Sequence, residues 1–411
     1  MTATALQQEE HLPEAIVCKW CGKSFHYLKS HISMGRCENI PESAKGLDVD
    51  EVVKMYTTAF PDEPTISRTA LAKLNEKRAE KHSGEGKVAE ISAHPGYAGT
   101  VEYKTELVAA HELLGVTIKE LGTPRGKPLQ VTVNVNTPYP EFVPEAKKNY
   151  VYGDFDLIKD IFMMLEIGIP GYLWGHAGIG KSSLPTQLCA LLNRPLIRAQ
   201  HTASMEEAHV TGQILARDGS TYFEPGLLAL AMKNGWVYLA DEYDFAFPQI
   251  LGVYQPVLEG EPLIIKEATP DWRRITPHKR FAFIGTGNTN GSGDETGLYQ
   301  GTNIQNAANF SRFGIVSNVK YMSTKAEVNM LAEAGVIREY AEKMVKFANL
   351  VREGYEQHLI SQPIGPRELL LSAKIGMMRG DFSAGIEKSF INKLPSTSAQ
   401  AAREVVQKIF G

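Results

Sequence analysis

The sequence of 411 residues is poor in cysteine, in long apolar runs and in net charge. Four cysteines are too few for the disulfide framework of a small secreted domain. Lys and Arg number 43 against 47 Asp and Glu, which excludes a protein whose whole surface binds nucleic acid. The most apolar stretch, 161–174, contains Glu166 and Pro170 and is too short to span a bilayer, and residues 1–14 do not resemble a signal peptide. We therefore predict a cytoplasmic protein without membrane contact.

The length corresponds to about two to three domains of ordinary size. From residue 157 onward, strand-like apolar runs at 171–174, 236–240 and 281–285 alternate with helical segments, which is typical of a parallel sheet flanked by helices. After residue 320 the pattern is helical, and Thr324 with Glu327 has the spacing of a capping box. We predict an α/β domain over 150–322 and a helical domain over 323–411. A linker and small β-containing region over 65–149 and a separate unit over 1–64 precede them.

One loop carries a specific phosphate-binding pattern. Residues 175–182 read Gly-His-Ala-Gly-Ile-Gly-Lys-Ser, which fits G-x-x-x-x-G-K-[ST], and they lie between a strand-like run and a helical segment. Backbone N–H groups at the start of such a helix bind phosphate oxygens. We predict that Lys181 binds the β- and γ-phosphates of ATP and that the Ser182 hydroxyl ligates Mg²⁺. The predicted nucleotide-binding residues of this loop are Gly175, Gly178, Gly180, Lys181, Ser182 and Ser183.

Two further polar positions follow apolar runs. Asp241 and Glu242 come after 236–240, where Asp241 is predicted to hold Mg²⁺ and Glu242 to deprotonate the attacking water. Taken alone, this pair is equally explained as a solvated acidic turn. Asn288 follows 281–285 and is predicted to sense the γ-phosphate or the attacking water, although an isolated asparagine there is more often a turn residue.

Two arginines are suited to neutralise charge on the transferred phosphoryl group. Arg312 precedes Phe313, and Arg367 opens a helical segment after Gly365 and Pro366. Each arginine alone could be an ordinary surface residue. Their order behind the phosphate loop and the acidic pair favours a catalytic role.

Together these motifs resemble AAA+ ATPases of the MoxR-like class, and within it the ATPase subunit of aerobic cobaltochelatase. The resemblance spans about residue 150 to the C-terminus and includes the stretches 241–244, 287–302 and 390–411. It implies an α/β nucleotide domain with a helical lid and assembly into a hexameric ring. In such a ring Arg312 would reach a neighbour's ATP, and Arg367 would act as the sensor from the lid.

The cysteines are crowded at one end of the chain. Cys18, Cys21, His31 and Cys37 have the residue types and pair spacings of a closed tetrahedral Zn²⁺ site. His26 is an alternative fourth ligand. The surrounding segment resembles the zinc module of Ros/MucR-type bacterial DNA-binding proteins. Its positive charges, Lys19, Lys23, Lys29 and Arg36, could contact phosphates or serve only as a solvated surface, so DNA and protein partners both stay open.

These observations predict a ring-forming, Mg²⁺-dependent ATPase that remodels a protein partner, with the zinc module selecting the target. One alternative is the ATPase subunit of a cobaltochelatase-type complex, which implies an integrin-like (VWA) partner subunit. A second alternative is a DNA-binding or DNA-processing adaptor in which ATP acts as a switch.

Overall fold

The computed structural model describes residues 13–33, 36–45, 47–61, 63–70, 102–217 and 220–411. The chain divides into two units at residues 91 and 92. Residues 71–101 of the predicted linker lie outside the described residues. Each unit is described by itself below.

The N-terminal unit is a small αβ fold around Tyr56. It contains the antiparallel strands β1 (Ile16–Val17) and β2 (Ser24–Phe25) and the helices α1 (Leu28–Ser33) and α2 (Val49–Ala59). The Asp48 side chain caps α2 by accepting from the backbone N–H of Asp50. The fully buried Tyr56 accepts from the backbone N–H of Lys19 at 3.0 Å and packs its ring edge-on against Trp20, so α2 is tied to the loop after β1.

A parallel sheet forms the centre of the second unit. Its strands are β5 (Gly171–Trp174), β6 (Leu196–Gln200), β9 (Val237–Asp241), β12 (Ala282–Gly287) and β13 (Ile315–Asn318). Within the part of the chain that the structure describes, these five strands lie in the order β13, β5, β12, β9, β6. The strands β5 and β9 pair with β12 on either side, so the carboxyl ends of all three meet at one edge of the sheet.

Alternate side chains of these strands enter two separate apolar cores. Tyr238 and Phe283 belong to one core, whereas Leu239 and Ile284 belong to the other. A sheet buried on both faces reads as continuous apolar runs, which is why its strands were recognisable in the sequence. The predicted α/β fold class is confirmed.

The other helices and the antiparallel strand pairs of this unit lie outside the five-stranded sheet. The helices are α3 (Ala110–Leu114), α4 (Phe155–Ile167), α5 (Ser183–Leu191), α6 (Glu207–Thr211), α7 (Leu227–Asn234), α8 (Pro248–Leu251), α9 (Gln255–Leu258), α10 (Pro270–Arg273) and α11 (Ala307–Phe310). Antiparallel pairs are β3 (Thr105–Ala109) with β4 (Gln130–Asn134), β7 (Gly212–Arg217) with β8 (Ser220–Pro225), and β10 (Leu263–Ile264) with β11 (Arg274–Ile275). Val131 of β4 shares a core with Ile158 of α4, so the β3–β4 pair packs onto the nucleotide domain.

The C-terminal part is a helical lid with its own apolar core. Its helices are α12 (Thr324–Glu333), α13 (Arg338–Glu356), α14 (Pro366–Arg379), α15 (Phe382–Ser389) and α16 (Ser396–Phe410). The predicted capping box at Thr324 is wrong by one residue, because the N-cap is Ser323, whose hydroxyl accepts from the N–H of Ala326. Glu327 points inward instead and pairs with Arg352. None of the described helices is long and apolar enough to cross a membrane.

Candidate active site and metal cluster

The phosphate loop connects β5 to α5 at the carboxyl edge of the sheet. Gly175, Gly178 and Gly180 have φ angles of +143°, +77° and +108°, which residues with side chains rarely adopt. This backbone bends sharply into α5, whose first residue is Ser183. The loop therefore presents its N–H groups at a helix N-terminus, as the sequence pattern predicts.

Lys181 points back across this loop. Its Nζ donates to the carbonyl oxygens of Gly175 (2.7 Å) and His176 (2.8 Å) and to Oδ1 of Asn288 (3.0 Å). Burial lowers the pKa of Lys181 to about 8, against the opposing attraction of the neighbouring carboxylates. The lysine is thus a partly buried cation that lies against the end of β12.

Asp241 ends β9 and accepts hydrogen bonds from three side chains. It accepts from the hydroxyls of Ser182 and Thr286 and from the guanidinium of Arg198, with Nε of Arg198 at 2.6 Å. Burial opposes its ionisation, but these hydrogen bonds and the arginine charge hold the pKa of Asp241 below its ordinary value. An ionised carboxylate beside a serine hydroxyl is the oxygen donor set that Mg²⁺ prefers.

Glu242 has a different environment from its neighbour. Its side chain is exposed and accepts from the amide of Gln200, while its backbone N–H donates to the hydroxyl of Thr286 at 3.2 Å. The residue has a φ of +53°, which is uncommon for a non-glycine residue. The turn leaves the Glu242 side chain exposed at the end of β9 while Asp241 stays buried.

Asp244 is a buried residue to which the sequence analysis assigned no role. Its Oδ2 accepts from the backbone N–H groups of Asn288 (2.8 Å) and Thr289 (2.9 Å) and from the Thr289 hydroxyl (3.0 Å). Burial raises its pKa although these bonds oppose the shift. Asp244 therefore fixes the turn that carries Asn288 toward Lys181.

The two predicted arginines lie in different surroundings. A Cβ placed on Gly178 would lie 3.1 Å from the Cβ of Arg367, so the start of lid helix α14 packs directly against the phosphate loop. Arg367 is exposed, and its charge contributes to lowering the pKa of Lys181. Arg312 instead pairs with Glu259 of its own chain, with Nε 2.7 Å from Oε1.

The cysteine cluster converges in the N-terminal unit. The ligand atoms of Cys18, Cys21, His31 and Cys37 all lie within 4.8 Å of one another. The sulfurs of Cys18 and Cys37 are 3.8 Å apart, and Sγ of Cys21 is 3.3 Å from Nε2 of His31. Zn–S bonds of about 2.3 Å in a tetrahedron place two sulfurs about 3.8 Å apart, so the donor set fits Zn²⁺.

His26 lies outside this cluster. Its Nδ1 is 3.1 Å from the hydroxyl of Ser67 and 3.1 Å from the carbonyl oxygen of Glu14. These contacts tie the loop before α1 to Ser67 and to Glu14. The geometry therefore favours His31 over His26 as the fourth ligand.

Comparison with known proteins identifies the family of the chain. The AAA domain family (dynein-related subfamily) matches residues 172–302, from β5 to the loop after Asn288. The chain is 32% identical over 249 residues to the aerobic cobaltochelatase subunit CobS of Sinorhizobium sp, which covers 58% of this chain and 74% of that protein. This chain belongs to the CobS-like AAA+ ATPases. The predicted enzyme class, an ATPase, is confirmed.

Other similar proteins are more distant from this AAA+ ATPase. An uncharacterised protein of Staphylococcus aureus (strain NCTC 8325 / PS 47) is 23% identical over 265 residues, 62% of this chain and 96% of that protein. The Thermotoga maritima RuvB Holliday junction branch migration motor is 13% identical with a TM-score of 0.38, covering 65% of this chain and 72% of that one.

Several residues of the AAA+ site carry no sequence signal of their own. Arg198 and Gln200 come from β6, which lies next to β9 only because of the strand order. Thr286 precedes Asn288 by two residues. Its hydroxyl donates to the Asp241 carboxylate and accepts from the backbone N–H of Glu242. The resemblance of the N-terminal unit to the zinc modules of Ros/MucR-type proteins stays a prediction.

Proposed function

We propose that the chain is a ring-forming motor that hydrolyses ATP with Mg²⁺ and remodels a protein partner, with the N-terminal unit selecting the target. The observation that carries the proposal is the meeting of Lys181, Asp241, Glu242 and Asn288 at one edge of the sheet. A cation, two carboxylates with different environments and an amide are the groups that phosphoryl transfer to water requires.

Glu242 is the proposed general base. Its exposed carboxylate takes a proton from water as the water oxygen attacks the γ-phosphorus, and the bond to the bridging oxygen breaks to leave ADP. Asn288 orients the γ-phosphate or the water, and Asp244 holds Asn288 in place through the backbone. Lys181 exchanges its loop carbonyl partners for phosphate oxygens and neutralises their charge.

Ser182 and Asp241 would hold Mg²⁺. Bound there, the ion supplies neutralisation of the charge on the β- and γ-phosphate oxygens. Arg198 keeps Asp241 ionised, since its guanidinium donates to the carboxylate. Arg198 thus has a supporting role in the proposed site.

Ring assembly would bring a neighbour's Arg312 to the γ-phosphate. In the present conformation Arg312 pairs with Glu259, and its Nη1 also bonds the carbonyl oxygen of Ala308. The Arg312 side chain must therefore break its pair with Glu259 before it can act across a subunit boundary. Arg367 acts from within the subunit, since α14 packs on the phosphate loop, and so links hydrolysis to the lid.

ATP turnover of matched variants tests the hydrolytic part. We expect Lys181→Ala and Glu242→Gln each to lose at least about a hundredfold in kcat. Lys266→Ala and Glu267→Gln, which change exposed residues of the same types, serve as controls and should keep wild-type turnover. Undiminished hydrolysis in either site variant would contradict the assigned role.

The charge arrangement of the N-terminal unit favours a protein target over DNA. Lys19, Lys23 and Lys29 are each engaged by a carboxylate, those of Glu63, Glu38 and Asp50 respectively. Residues 13–70 hold seven Lys and Arg against eight Asp and Glu, so the unit has no excess positive charge for a phosphate backbone. Fluorescence anisotropy of the full chain with a labelled duplex at low salt tests this, and tight, salt-sensitive binding would restore the DNA alternative.

The identity to CobS supports one alternative, an ATPase subunit in a metal-insertion complex. Mixing the purified chain with the partner subunits of a cobaltochelatase and following cobalt insertion into a tetrapyrrole by absorbance tests it. Insertion that depends on Lys181 would favour this alternative over remodelling of another protein.

A further inference from the structure

The loop between Asn288 and α11 is fastened to the nucleotide site at three places. At its start, the N–H of Thr289 donates to Oδ2 of Asp244. At its end, the N–H of Asn303 donates to the carbonyl oxygen of Asp244 at 2.7 Å. In the middle, the Tyr299 hydroxyl is 2.9 Å from Nδ1 of His176 and accepts from the N–H of Ala177 at 3.2 Å.

A local turn over residues 294–299 places Tyr299 at this position. Both carboxylate oxygens of Asp294 accept hydrogen bonds. Oδ1 accepts from the N–H of Thr296 (2.9 Å) and Oδ2 accepts from the N–H of Tyr299 (2.7 Å). Gly297 in the same turn has a φ of +74°. The turn aims the Tyr299 ring at the phosphate loop while residues 295–297 stay exposed.

His176 receives contacts from two other parts of the molecule. Its ring stacks on Tyr321 at 5.8 Å, just before the lid, and lies edge-on to Tyr355 of lid helix α13 at 5.7 Å. Burial, and then the charge of Lys181, lower the pKa of His176, so Nδ1 of the neutral ring can accept a hydrogen bond from the Tyr299 hydroxyl. The hydroxyl can at the same time accept from Ala177.

We propose that Tyr299 is a positioning residue of the ATPase site, whose hydroxyl fixes the backbone of the phosphate loop through His176 and Ala177. The inference rests on the proposed function. Ala177 precedes Gly178, and the carbonyl of His176 is a partner of Lys181, so both anchored residues adjoin the groups that bind phosphate. These hydrogen bonds already restrict the loop before ATP binds, so the loop loses less conformational entropy on binding.

Steady-state kinetics of the full chain test the inference. Tyr299→Phe removes the hydroxyl and keeps the ring, and His176→Phe removes the acceptor and keeps the stacking. We expect Tyr299→Phe to raise the KM for ATP between about two- and twelvefold, the range for a lost hydrogen bond, with kcat changed less than KM. His176→Phe should have a smaller effect, because the Ala177 bond survives, and the double variant should match Tyr299→Phe alone.

Tyr340→Phe is the matched control, because Tyr340 stacks on Phe382 within the lid. Its KM should equal that of the wild type. A wild-type KM in Tyr299→Phe, or effects of the two site variants that add fully, would overturn the inference. Full turnover in Lys181→Ala would overturn it together with the proposed function, whereas loss there with an unchanged KM in Tyr299→Phe would overturn the inference alone.

Discussion

The buried ion pair between Glu327 and Arg352 holds the first two lid helices together. The two residues form a bidentate pair, with both N–O distances at 2.8 Å, and the Glu327 side chain is completely buried. Arg352 also donates to the carbonyl oxygen of Ile364 at 3.0 Å and lies 3.9 Å from the centre of the Tyr321 ring. Glu327→Gln removes the charge that compensates the guanidinium but leaves these other contacts.

Breaking one partner of a buried pair costs about 3–5 kcal/mol, and we expect the lower end because the contacts of Arg352 to Ile364 and Tyr321 remain. About 3 kcal/mol corresponds to roughly a hundredfold in a local opening equilibrium. Amide hydrogen exchange measured by mass spectrometry, on peptides from α12 and α13 of the full chain, should report a loss of protection of that size.

Two further variants test whether the loss of protection comes from breaking the buried pair or from a general destabilisation of the lid. The double variant Glu327→Leu/Arg352→Met replaces the pair with apolar side chains, so it should recover most of the protection lost in Glu327→Gln. Glu339→Gln breaks an exposed pair with Lys343 on α13 and should change exchange little. A change below about threefold in Glu327→Gln, or a double variant worse than the single one, would refute the reasoning.

Three other predictions address the two sites. Because the pKa of Lys181 is lowered to about 8, its ammonium deprotonates as the pH rises through that value, and kcat/KM for ATP should fall above about pH 8; a flat profile up to about pH 9.5 would contradict this. Cys37→Ser should lower the zinc content measured by mass spectrometry, whereas Cys189→Ser, which changes a buried thiol far from the cluster in sequence, should not. Arg312→Ala should be inactive alone but regain turnover when mixed with Lys181→Ala, since each would supply what the other lacks across a subunit boundary; a mixture that stays inactive argues against a role in trans.

Much of the site was predictable because its residues follow apolar runs in the sequence. The strands β5, β9 and β12 are buried on both faces, so each reads as an apolar segment, and the polar residues after them are conspicuous. Parallel strands end at the same edge, which brings Lys181, Asp241 and Asn288 together without further information. Cys18, Cys21 and Cys37 were equally clear as a candidate metal cluster from residue type and spacing, whereas His31 and His26 both stayed open as the fourth member.

Other contacts depend on which elements lie side by side. Arg198 reaches Asp241 only because β6 pairs with β9, and no local pattern around Arg198 indicates that neighbour. Glu327 has the spacing of a capping residue, but burial against α13 makes it the partner of Arg352 instead. Long-range packing outweighs a capping preference worth about 1 kcal/mol.

The sequence alone determined the fold class, the phosphate loop and the grouping of Cys18, Cys21 and Cys37, because each is visible as a local pattern of residues along the chain. Tertiary structure decided which histidine completes the cluster, how the lysines of the N-terminal unit are neutralised and that Tyr299 contacts the phosphate loop. The physical reason is the same in all three cases. A hydrogen bond or ion pair between residues distant in the sequence forms only when the elements that carry them pack together. No local sequence pattern specifies that packing.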